Sequence, residues 1–226
     1  MSELPSLIFD LDGTLVDSSS ILVAIVNDML RERGSERVVT VDEAAPFLSH
    51  GGAALVRGLL ADDCTDLVRE LADLRERYAS QTIPAETLYE GVRAGLHELD
   101  GHGFQLGICS NKPEYLCEKV LSDLGLDPLF SAIVGSAPGR PQKPAPDLLN
   151  LALERLDTEP ARAIMIGDSE VDHALAEGVC VPFLFVSYGY ADETWDPSSL
   201  RQFSRFPDLV GWLTSRYPAE KVRRVA

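Results

Sequence analysis

Asp10 and Asp12 flank a single leucine in the run Leu7-Ile8-Phe9-Asp10-Leu11-Asp12-Gly13-Thr14-Leu15. The apolar start reads as a buried β-strand, so both acids fall at its carboxyl end, where open parallel sheets bind ligands. Two carboxylates this close repel unless a cation sits between them or one is protonated, and both outcomes serve phosphoryl transfer. Gly13 lets the chain turn sharply behind them. An acidic hairpin turn is the bland alternative, but a hairpin needs a second strand at once. Ser18-Ser19-Ser20 and a helical run follow instead.

Further polar groups recur at the ends of later apolar runs. Ser110-Asn111-Lys112 closes the strand expected at 105–110, and Gly167-Asp168-Ser169-Glu170-Val171-Asp172 closes the one at 163–166. Lys143 lies in the proline- and glycine-rich loop 136–146. Short strands at 133–135 and 183–187 complete a strand–helix alternation, the pattern of a parallel sheet flanked by helices. Such a sheet gathers its carboxyl ends on one edge, so groups distant in sequence become neighbours. Between the first strand and this alternation the periodicity is helical, with helices expected at 21–33, 41–48, 53–60 and 64–81. The expected division is therefore an α/β core from residues 1–15 and 85–226, with a helical cap from 16–84. Segments 15–18 and 82–84 would be its hinges. Arg69, Glu70, Arg75, Glu76 and Arg77 read as the solvated face of the last cap helix.

The 226 residues are 45% apolar, enough for a substantial core. A net charge of −16 argues against nucleic acid and against an anionic membrane surface. An anionic substrate then needs local help from a lysine or a metal ion. No apolar run reaches the ~18 residues of a membrane span. The start of the chain does not read as a signal peptide. Cys64, Cys109, Cys117 and Cys180 have no metal-ligand spacing and read as reduced thiols of a cytoplasmic protein.

Together, Asp-x-Asp-Gly-Thr, Ser-Asn-Lys, Lys-Pro-x-Pro-Asp and Gly-Asp-Ser-x-x-Asp resemble the four motifs of the haloacid dehalogenase superfamily of phosphatases. Within it the chain looks most like phosphoglycolate phosphatases, through Ser110-Asn111-Lys112, Lys143 to Asp147, Tyr188-Gly189-Tyr190 and the cap segment Gly51 to Val56. The resemblance implies a Rossmann-like core with a helical cap inserted after the first strand. It implies Mg²⁺-dependent hydrolysis of a small phosphate ester, 2-phosphoglycolate foremost.

On this reading Asp10 is the nucleophile, since an ionised carboxylate can attack phosphorus directly and form an aspartyl-phosphate. Asp12 is acid to the leaving alkoxide and then base to water. Asp10 and Asp168 supply carboxylates to Mg²⁺, and the family pattern adds the Asp12 backbone carbonyl. Asp172, one helical turn from Asp168, orients metal-bound water or Lys143. Ser110, Asn111 and Lys143 hold the phosphate. His50 and Arg57 are candidates for the non-phosphate end. Rival readings are a phosphatase of other small esters, a sugar phosphomutase with the same two acids, and a non-catalytic phospho-acceptor or binding module. Oligomeric state is not legible.

Overall fold

The computed structural model describes residues 4–218. The basic stretch 221–224 and the first three residues lie outside the described residues. Six parallel strands form one sheet in the order β3-β2-β1-β4-β5-β6. They are β1 (Ser6–Phe9), β2 (Leu106–Pro113), β3 (Phe130–Ser136), β4 (Ala163–Gly167), β5 (Phe183–Val186) and β6 (Gln202–Phe203). β1 lies between β2 and β4, with Leu7 opposite Leu106 on one side and Ile164 on the other. A strand covered on both faces reads as a continuous apolar run, and β1 does.

Strand alternation divides the core into two layers. Leu7 and Phe9 face one cluster with Leu96 and Leu99 of α5 (Val92–His102), Leu116 and Val120 of α6 (Glu114–Asp123) and Leu209 of α9 (Phe206–Arg216). Ile8 faces the other, with Leu148 and Leu149 of α7 (Asp147–Arg155) and Leu175 of α8 (Glu170–Val179). Four helices come between β1 and α5: α1 (Ser19–Glu32), α2 (Val41–Leu48), α3 (Gly52–Leu60) and α4 (Leu67–Ser80). Their apolar faces, including Val26, Met29, Leu59 and Leu74, join the first cluster.

Several expected boundaries move. Asp66 caps α4 by accepting from the backbone N–H groups of Val68 and Arg69, so this helix starts three residues after the expected Cys64. β2 runs past Ser110 to Pro113, with a register irregularity after Cys109. β3 is longer than the expected three residues because its pairing with β2 starts at Phe130. β6 and α9 follow a stretch for which no element was expected. Glu70 is buried and ion-paired with Arg33, so the polar face of α4 is not wholly solvated.

Candidate active site

The chain passes from β1 to β2 and β3 on one side, then crosses back to place β4 on the other. This reversal opens a crevice at the carboxyl ends of β1 and β4, the usual ligand position in such sheets. Asp10 directly follows β1, its backbone N–H still donating to Ile166 in β4. Asp168 directly follows β4. Ligand oxygens of Asp10, Asp168 and Asp172 lie within 4.8 Å of one another, and all three residues are buried.

Glycines make this crowding possible. A Cβ at Gly13, whose φ is +84°, would stand 2.1 Å from Asp168 Oδ2, and one at Gly189 would stand 2.3 Å from it. Any side chain at either position would displace the carboxylate. Thr14 Oγ1 donates to Asp168 Oδ1 at 2.7 Å, and the Tyr190 backbone N–H donates to Oδ2 at 2.7 Å. Burial, then Asp172 and Asp10, push the Asp168 carboxyl well above the ordinary range.

Lys143 is the buried counter-charge. Its Nζ lies 2.7 Å from Asp172 Oδ1 and 2.9 Å from Asp10 Oδ1. Burial alone would discharge this amine, but Asp10 and Asp172 outweigh it and hold the ammonium above its usual range. Asn111 sets the lysine's main chain, its Oδ1 accepting from Lys143 N–H at 2.7 Å. The Asn111 side-chain oxygen is committed to this turn, and its amide nitrogen lies 3.4 Å from the Ser49 and Lys143 carbonyls. Asp172 stands in the first turn of α8, where Ser169 Oγ donates to its Oδ2 at 2.7 Å. Ser169 is thus the helix cap, and Asp168 precedes the helix rather than sharing a face with Asp172 inside it.

Asp10 Oδ1 accepts no aligned hydrogen bond despite being buried and close to Lys143. Burial, partly offset by Lys143 and reinforced by Asp172 and Asp12, pushes its carboxyl up to about 6. A buried all-oxygen set in which carboxylates outnumber ammonium groups fits a hard divalent cation. The aspartate cluster could therefore bind a metal ion. The Asp12 carboxylate belongs to a different set of contacts. It accepts from Ser18 Oγ at 2.7 Å and pairs with Lys112 Nζ at 2.7 Å.

Lys112 received no individual role from the sequence, although it is one of only four lysines and stands within a motif. It also lies 4.3 Å from the ring centroid of Tyr78 on α4, joining sheet edge to helices. Ser18 likewise turns its hydroxyl on Asp12 instead of capping α1. Tyr190 Oη donates to Asp17 at 2.7 Å, and Tyr188 Oη donates to the Thr14 carbonyl at 2.8 Å. None of these partners follows from local spacing.

Asp10, Asp12, Ser110, Asn111 and Lys143 line one cavity of about 50 Å³, closed from the helical side by Leu22, Leu48, Leu55, Leu71 and Leu74. His50 and Arg57 do not line it. His50 faces a separate groove, 3.8 Å from Glu170, and Arg57 is exposed on α3. The expectation that one of them meets the substrate has no support in this geometry. Both stand on or beside helices whose opposite, apolar faces point inward. Arg75, read as solvated, is half-buried and lines the cavity.

Residues 7–186 match the model of the haloacid dehalogenase-like hydrolases, and the chain belongs to that family. It is 34% identical over 221 residues to a phosphoglycolate phosphatase of Rhodobacter capsulatus, covering 93% of this chain and 99% of the relative. A phosphoglycolate phosphatase of Rhodospirillum rubrum is 35% identical, with 92% and 90% covered. The protein is thus a phosphatase of small phosphate compounds, similar to the phosphoglycolate phosphatases. In fold it resembles a solved structure described as a predicted phosphoglycolate phosphatase from Haemophilus somnus. That structure superposes with a TM-score of 0.84 at 23% identity, covering 94% of this chain and 99% of the other. No described helix is long and apolar enough to cross a membrane.

Proposed function

We propose that the protein is a Mg²⁺-dependent phosphomonoesterase that works through an aspartyl-phosphate on Asp10, with 2-phosphoglycolate as its substrate. The observation that carries this reading is the convergence of Asp10, Asp168 and Asp172, whose ligand oxygens lie within 4.8 Å of one another in a buried cluster.

Asp10 attacks phosphorus as the alkoxide leaves, so that the ester P–O bond breaks while a carboxylate–phosphorus bond forms. Asp12 gives the departing oxygen its proton, and then takes one from the water that cleaves the acyl phosphate. Ser18 and Lys112 hold that carboxylate in place from either side. Lys143 stands against charge developing on the transferred group, held there by Asp172 and by Asn111. Ser110, buried at the same edge, offers its hydroxyl to a phosphate oxygen. Asp10 and Asp168 would hold Mg²⁺ with the Asp12 carbonyl, and the ion would offset charge on the phosphoryl oxygens.

Residues 16–84 act as a cap in this scheme, their leucines excluding water from the reaction cavity. The substrate assignment draws on relatives named for phosphoglycolate and on a cavity only a few times the ~10–15 Å³ that one water requires. The test is phosphate release from 2-phosphoglycolate and from p-nitrophenyl phosphate, with and without Mg²⁺. Turnover of both only with the ion is expected. A protein that binds esters but never releases phosphate is a binding module instead.

A further inference from the structure

Three cations line the reaction cavity, and two of them are already neutralised. Lys143 is held by Asp10 and Asp172, and Lys112 by Asp12. The third is Arg75 on α4. Among the described residues it makes no hydrogen bond and no ion pair. Its neighbour Arg77 shows that partners are available on this helix, reaching both Glu32 and Asp73. In a chain with a net charge of −16, a half-buried guanidinium left unpaired at a cavity is unusual. A partly desolvated cation gains most from an anion that arrives from solution.

The wall beside it narrows what that anion can be. Leu22, Leu55, Leu71 and Leu74 present no hydrogen-bonding side chain. Beyond the hydroxyls of Ser49 and Tyr78, that wall offers a polyol no uncharged side-chain partner, so its remaining hydroxyls would give up water without replacement. A carboxylate would meet the planar fork that best matches it, in surroundings where leucines strengthen the attraction.

We propose that Arg75 is a specificity-determining residue that binds the substrate's carboxylate, confining the enzyme to phosphate esters of short hydroxy acids. The inference rests on the hydrolase reading above and extends it to the end of the substrate remote from the reacting phosphorus. Phosphate sits at the sheet edge between Ser110 and Lys143, and the carboxylate points to α4.

The experiment compares kcat/KM for 2-phosphoglycolate with that for glycerol 2-phosphate, which lacks the carboxylate, in wild type, Arg75→Met and Arg75→Lys. Loss of one charge-assisted contact predicts a fall of ~10–100-fold in this ratio for Arg75→Met, carried by KM for the acid ester. Arg75→Lys should recover part of it, because the charge remains while the fork is lost. A ratio that stays within about twofold of wild type overturns the inference while leaving hydrolysis intact. Should wild type hydrolyse no ester, the hydrolase reading itself fails. Calorimetric binding of 2-phosphoglycolate to Asp10→Asn, with and without Arg75→Met, then decides the matter for Arg75. Equal affinities overturn it, and a loss of ~10-fold or more supports it.

Discussion

The sheet edge and the helices above it meet at one cavity but are built on opposite terms. At the edge nearly every polar group is engaged before any ligand arrives: Asp168 by Thr14 and Tyr190, Asp172 by Lys143 and Ser169, Asp12 by Ser18 and Lys112. The helical side contributes leucines, Tyr78 and one unpaired arginine. Fixed dipoles and charges stabilise a transition state best when they need no rearrangement, so the chemistry belongs to the rigid edge. An apolar wall with a single cation discriminates among substrates without touching the reacting atoms. Changes at the edge should therefore act on kcat, and changes on the helices on substrate choice or stability.

The largest effect is expected at Asp10. Asp10→Asn removes the nucleophile without changing side-chain volume, so turnover should vanish while the circular dichroism spectrum stays native. Residual activity above about one per cent would take the nucleophile's role away from this residue. Asp12→Asn comes next, with turnover reduced by ~10²–10⁴-fold through lost proton transfer. If Asp12 also serves the second step, intact-mass spectrometry after mixing with an activated ester should show a phosphorylated protein. Its absence would separate Asp12 from dephosphorylation.

Lys143→Met leaves Asp10 and Asp172 facing each other without the ammonium between them. Breaking a buried pair in this way costs ~3–5 kcal/mol, readable as a lower urea midpoint in chelator. Added Mg²⁺ should restore part of that loss if the cluster binds the ion; no recovery would argue that Lys143 alone neutralises it. The smallest effect is expected across the divide. Tyr78 is buried, its hydroxyl has no aligned hydrogen-bond partner among the described residues, and its ring lies against the Lys112 ammonium. Tyr78→Phe keeps the ring, so stability should change by less than about 1 kcal/mol and kcat hardly at all. A large drop in kcat would show that the helices share in the chemistry and erase the contrast between the two regions.

The chain alone determined the strand ends that bear Asp10, Ser110 and Asp168, because a fully buried parallel strand is written as a continuous apolar run and its polar terminus is conspicuous. It also determined the four helices between β1 and α5, since amphipathic periodicity is a local property. What it left open depended on contacts between residues far apart. Lys112 meeting Asp12, Ser18 leaving its helix end for the same carboxylate, and Asn111 bracing Lys143 join segments that no spacing connects. Arg75 looked like one more charge on a polar face, while His50 and Arg57, candidates for the substrate's far end, do not line the cavity that holds Asp10 and Lys143. A helix's periodicity tells which face is apolar, but only the packing of α4 against its neighbours decides which charged residue at the margin of that face borders a cavity.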